Sequence, residues 1–224
     1  MSYKKIPLVL FIALFLTVST ISHADWFTSS ETKELIKKAE SGDKEAQFNV
    51  GAAYDLGNGA PSSRSKAKKY YQMAADQGHA EAQNSLGSIY QEEKKYDEAK
   101  TWYELASEQN HPMATTSLGL LYDLGLGVPQ DRKKGFEFYS KAANLGHGRA
   151  MWNIANMYGA GQLGEVDLFS TCVWVIRAQI YADGRDYELI QHMDRVLPAL
   201  KKDLPSSDWK KCNEEANKWA PANA

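Results

Sequence analysis

Small and large apolar residues alternate along the chain at helical spacing, and the pattern returns every 32 to 36 residues. Ala46, Ala82, Ala114 and Ala150 begin matching segments, spaced 36, 32 and 36. Four residues on stand Val50, Leu86, Leu118 and Ile154; five on, Gly51, Gly87, Gly119 and Ala155; eight on, Tyr54, Tyr90, Tyr122 and Tyr158. These offsets share one face of an α-helix, here helix A. A second series predicts helix B. Its large members are Tyr70, Trp102, Phe138 and Trp174, with Ala74, Ala106, Ala142 and Ala178 four residues later. Ala67, Ala99, Gly135 and Thr171 stand three residues before the aromatics. Small residues admit a neighbouring helix at close range, and large ones fill the space beside it.

The breaks between helices fit the same unit. Gly57-Asn58-Gly59-Ala60-Pro61 and Gly125-Leu126-Gly127-Val128-Pro129 separate A from B. Glycine supplies the positive φ that ends a helix, and proline prevents its continuation. Gly78-His79, Asn110-His111 and Gly146-His147 close helix B. The predicted fold is all-α: an α/α solenoid, a right-handed superhelix of two-helix repeats, with C-terminal capping helices. Four repeats are expected at 43–79, 80–111, 112–147 and 148–182. Residues 25–42 read as an N-terminal half-repeat, since Leu35, Ala39 and Gly42 align with Tyr71, Ala75 and Gly78. Thr28 and Glu31 are expected to cap its helix. Beyond 182 the repeat stops. Residues 186–203 and 206–219 read as amphipathic helices parted by Pro205, so 183–220 should cover the apolar face of the last repeat.

The segment 114–150 reads A-x4-G-x2-Y-x2-G-x-G-V-x2-D-x6-F-Y-x-K-A-A-x2-G-x3-A. It resembles the Sel1-like repeat family, relatives of tetratricopeptide repeats, over about residues 31–182. The third repeat departs from the pattern at Gly135, the second lacks the G-x-G-V turn, and the fourth has Gly161-Gln162-Leu163-Gly164 in its place. The resemblance implies an adaptor or scaffold that binds other proteins. Small exported proteins of this kind resemble immunity proteins that neutralise antibacterial effectors, such as phospholipases delivered by type VI secretion. An enzymatic alternative, a cell-wall or β-lactam hydrolase, fits less well. The cysteine-rich relatives associated with β-lactams carry a Cys pair in each repeat, whereas this chain has two cysteines in all.

Composition narrows the setting. The 224 residues are 43% hydrophobic with a net charge of −2, offering neither a basic face for nucleic acid nor an acidic block. Lys4 and Lys5, an apolar run over 6–18 and Ser22-His23-Ala24 read as a signal peptide, residues 1–24, cleaved between Ala24 and Asp25. The run is short for a membrane span, and an uncleaved anchor is the alternative. The expected location is periplasmic or secreted, with no membrane span after cleavage. In such a chain the pair Cys172 and Cys212 points to a disulfide stapling the cap to helix B of the last repeat.

The residues argue against catalysis. Gly159 to Gly164 matches G-x-G-x-x-G, but that fingerprint needs a preceding strand, and here a helix precedes it. His79, His111 and His147 share a repeat offset, so consecutive copies sit too far apart to hold one metal ion. Asp131 and Asp167 precede helix B and are expected to cap it. No catalytic, cofactor or metal residue is expected. The expected partner is another protein, an antibacterial effector if the immunity resemblance holds. It would meet the A-helix positions that differ between repeats: Phe48, Asn84, Thr116 and Trp152, and one turn on, Ala52, Ser88, Leu120 and Asn156. Trp152 either anchors the partner with Phe48 or packs under the C-terminal cap.

Overall fold

The structure is a computed structural model that describes residues 28–184 and 186–221. The predicted signal peptide and its cleavage point lie outside the described residues. Among those described there are eleven α-helices and no strand. They are α1 (Ser30–Glu40), α2 (Lys44–Leu56), α3 (Arg64–Asp76), α4 (Ala80–Glu92), α5 (Tyr96–Glu108), α6 (Pro112–Leu124), α7 (Arg132–Asn144), α8 (Gly148–Gly159), α9 (Leu168–Ile180), α10 (Tyr187–Asp203) and α11 (Ser206–Lys218). They form two compact units, divided within α3 after Tyr70. The even-numbered helices from α2 to α8 are the A helices, and the odd-numbered ones from α3 to α9 are the B helices.

In the first unit α1 packs on α2. Its cap lies one residue later than expected. The Ser29 hydroxyl, not Thr28, accepts the Thr32 N–H at 3.1 Å. Gln47 is buried beside the template Ala46 and donates to the Ala39 carbonyl at 3.0 Å, tying α2 to α1. After α2 the two glycines of the turn do different work. Gly57, at φ 68°, ends the helix in the left-handed region. Gly59, at φ 76°, lies so close to α1 that a Cβ there would stand 2.5 Å from Thr32 Oγ1. Tyr70 then stacks on Tyr54 with ring centres 5.9 Å apart.

In the second unit each A helix packs on its own B helix, and each B helix on the next A helix. The expected small-large match holds, with a correction to the large partner. The rings lying against Gly87 and Gly119 belong to Tyr103 and Tyr139, one residue after the aromatics picked out in the sequence. Both tyrosines are fully buried, whereas Trp102 and Phe138 are half-buried. Gln83 repeats the tie made by Gln47, donating to the Ala75 carbonyl at 3.2 Å. In the next repeat Thr115 donates to Ser107 Oγ at 2.9 Å.

The repeat ends at α9, and α10 and α11 both pack against it. Leu189, Met193 and Leu200 from α10 and Cys212 and Ala216 from α11 are buried with Cys172, Val173, Val175 and Ile176 of α9. Burying that face removes apolar area that an open-ended repeat would leave in water. Cys172 and Cys212 are joined, with Cα atoms 6.0 Å apart. Arg177 lies between the rings of Trp174 and Trp219, its guanidinium carbon 4.7 and 5.1 Å from their centres.

Candidate protein-binding surface

The A helices of the second unit, α4, α6 and α8, are built from two kinds of position. Template positions are used up by packing: Ala82, Leu86, Gly87, Ala114, Leu118, Gly119, Ala150 and Ile154 are all buried. Of the remaining positions on these helices, only the exposed ones are open to a partner.

The helix starts are fixed by the recurring histidines. His79 Nδ1 accepts the Ala82 N–H and His111 Nδ1 accepts the Ala114 N–H, each at 3.2 Å. Asp43 does the same for Ala46 in the first unit, at 2.7 Å. An N-cap acceptor satisfies one of the N–H groups that a helix leaves open. His147 departs from the set. Its Nδ1 pairs with Thr116 Oγ1 at 2.7 Å, joining the start of α8 to α6. Burial, with the nearby Arg149 and His111, pushes the His147 imidazole down to about 4. Burial also lowers His111.

The expected contact residues fall into different settings. Phe48 is half-buried in the first unit. Asn84 and Thr116 are only 8% and 6% exposed and offer little area to a partner. Thr116 donates to the Pro112 carbonyl at 2.9 Å besides meeting His147. Trp152 is half-buried and stacks on His192 of α10, with ring centres 6.0 Å apart, so it packs under the cap. Asn156 is exposed, and Ser88 and Leu120 are half-buried. The exposed apolar residues on these helices fall outside both predicted series: Met113, 53% exposed, and Leu124, 54% exposed. Met113 stands immediately before a template alanine, and Leu124 is the last residue of α6. Both positions lie just outside the template, and that is the available signal.

Other candidate chemistry is accounted for by the fold. The run from Gly159 to Gly164 lies between α8 and α9. The N-terminus of α9 is already occupied by Asp167, whose carboxylate accepts the Ser170 N–H at 2.9 Å and its hydroxyl at 2.7 Å. Those bonds hold Asp167 below the usual carboxylate range. Asp131 caps α7 in the same way through the Lys134 N–H. Among the described residues no group of three or more potential ligands is placed to hold a metal ion, and no helix is long and apolar enough to cross a membrane.

Paired helices in register, tied by recurring caps and closed by two further helices, define an α/α repeat protein of the solenoid class. The Sel1 repeat matches at residues 44–79, 80–111, 112–147 and 148–168, and the chain belongs to the Sel1 repeat family. Solved structures share the architecture. The chain is similar to c5321, a protective antigen with an SLR fold present in uropathogenic Escherichia coli strains, at 25% identity and TM-score 0.75. That match covers 84% of this chain and 40% of the antigen, so the chain spans well under half the antigen's length. It is also similar to a Sel1 repeat protein from Oxalobacter formigenes, at 28% identity and TM-score 0.70, over 83% of this chain and 75% of the other. Immunity protein Pa5087 from Pseudomonas aeruginosa aligns at 17% identity and TM-score 0.49, over 77% of this chain and 74% of that protein. No curated protein matches the chain significantly.

Proposed function

We propose that the chain is an exported scaffold that binds another protein through the A-helix surface of its repeats. The observation that carries this reading is the division of labour on α4, α6 and α8. Template residues are consumed by packing, while Met113, Leu124 and Asn156 stay exposed on the same helices. Sel1 repeat proteins generally mediate protein–protein contacts, and an extended repeat surface suits that task. Export is supported by the N-terminal sequence pattern and by the cysteine pair joined across the cap.

The test is site-specific photocrosslinking in the producing cell. A photoreactive residue at Asn156 should give a discrete protein adduct in the exported fraction, and one at Glu137, exposed on α7, should not. Equal adduct patterns from both positions would remove the reading. An adduct with an antibacterial effector would specify the partner as the immunity resemblance implies. Absence of the chain from the exported fraction would overturn the location.

A further inference from the structure

We propose that α4 and α6 form a clamp for an extended, uncharged peptide segment, with Asn84 hydrogen-bonding the segment's backbone and Met113 closing over it. The proposal rests on the protein-binding reading and names the chemistry of the bound segment. Asn84 Oδ1 is buried and has no hydrogen-bond partner among the described residues. Its Nδ2 donates to the thioether sulfur of Met113, 3.6 Å away. Sulfur is a weak acceptor, so the carboxamide is under-used on both sides. A buried polar atom without a partner is uncommon in a native fold and requires a reason. Leucine shares the branching pattern of asparagine and would carry no such cost here.

The surroundings supply the reason and select the occupant. Asn84 is itself 8% exposed, yet Met113, which lies against it, is 53% exposed. The carboxamide nitrogen therefore lies against a side chain that is itself half in water. Methionine is unbranched and changes rotamer readily, so its movement frees the Nδ2 side of the carboxamide without backbone movement. Oδ1 accepts and Nδ2 donates, which matches the alternating N–H and C=O groups of an extended chain. Further along the same two helices, Ser85 and Ser88 on α4 and Ser117 and Leu120 on α6 are half-buried and uncharged and offer no counter-charge to a phosphate or carboxylate. Glu81, one turn before Asn84, is exposed and repels acidic segments. Leu124, 54% exposed at the end of α6, gives an apolar contact for a side chain of the segment.

A displayed heptapeptide library panned on the purified protein tests this, with enriched peptides made in acetylated and amidated form and read by fluorescence anisotropy. Asn84→Leu should weaken their binding about tenfold or more, while leaving the melting temperature unchanged or higher, because it removes an unsatisfied buried group. N-methylation of one peptide N–H should weaken binding to the unmutated protein equally and have no further effect on Asn84→Leu. In the unmutated protein the Asn84 side-chain amide resonances should shift as peptide is added. Failure to enrich any peptide, undiminished binding to Asn84→Leu, or unmoved amide resonances would each overturn the clamp. If Asn84→Leu keeps the photocrosslinked partner described above, the clamp fails while the broader scaffold reading stands.

Discussion

Burial of the His147 imidazole in its neutral form makes folding sensitive to acid. Its folded value of about 4 lies below the ordinary 6.5, chiefly through burial. Above pH 6.5 the residue is neutral in both folded and unfolded chains and contributes no pH dependence. Between 6.5 and 4 the unfolded chain takes up the proton first, so stability falls as the pH drops, then levels off below 4. The full loss is about 3 kcal/mol at 1.36 kcal/mol per unit. Urea midpoints measured from pH 7 to 4 should fall accordingly, and His147→Asn should flatten the profile while keeping a donor toward Thr116. A profile as steep in the variant as in the parent would assign the effect elsewhere. Gly119 makes a second residue-scale prediction. Alanine raises helix propensity by about 1 kcal/mol at such a site. Its Cβ, however, would stand 2.6 Å from the Tyr139 ring, with the Gly135 carbonyl only 3.1 Å away, so the new methyl group is hemmed in by backbone as well as ring. Overpacking of this kind costs about 1–3 kcal/mol, and the clash wins. Gly119→Ala should lower the urea midpoint; a rise would show that the ring moves freely.

At the scale of the element, the helices are legible in the sequence because packing is local and repeats itself. Ala, Gly and Tyr at fixed offsets report contacts between a helix and the next one in the chain, and α4 to α9 follow them. The candidate site is less legible, because variation between repeats is a poor guide to exposure. Asn84 and Thr116 vary, yet both are buried against partners at the start of the next A helix, Met113 and His147, 29 and 31 residues away. Alignment of repeats cannot display such a contact, since each copy is compared with its equivalent and not with its neighbour. The histidine caps are hidden for a different reason. Histidine is not among the usual capping residues, and Asp43 at the same offset in the first repeat is the clue. The junction of repeat and cap shows how an element end is specified. Asp186 caps α10 by accepting the Leu189 N–H at 3.2 Å, and the same carboxylate takes a two-pronged ion pair from Arg149 of α8, at 2.6 and 2.7 Å. Asp186→Asn keeps the cap and loses the ion pair; Asp186→Ala loses both. A lost cap costs about 1 kcal/mol, and a pair with a half-exposed arginine less than that. Chemical denaturation should therefore order the three proteins as parent, Asn, Ala. Equal loss in both variants would deny the cap any share.

At the scale of the molecule, a repeat chain gains stability from each neighbour contact, and its last repeat has a neighbour on one side only. Here α10 and α11 supply the missing contact, and the bond between Cys172 and Cys212 fixes α11 to α9 across a closed loop of 40 residues. In the chain-entropy description that loop restricts the unfolded state by about 4 kcal/mol. The effect belongs to an oxidising compartment, where such bonds persist. The same chain made in a reducing compartment should carry a looser cap. The aromatic groups at the junction make this measurable. Trp219 stands edge-on to Tyr181, with ring centres 5.6 Å apart, and Trp209 lies on α11 near Lys201. The double variant Cys172→Ala, Cys212→Ala should melt at a lower temperature than the oxidised parent. Its tryptophan emission should shift to longer wavelength, and it should bind an apolar dye as the α9 face opens. Reduction of the parent should reproduce all three changes. Equal melting temperatures together with unchanged emission would mean that apolar burial alone seats the cap, leaving the disulfide without a stabilising part in it.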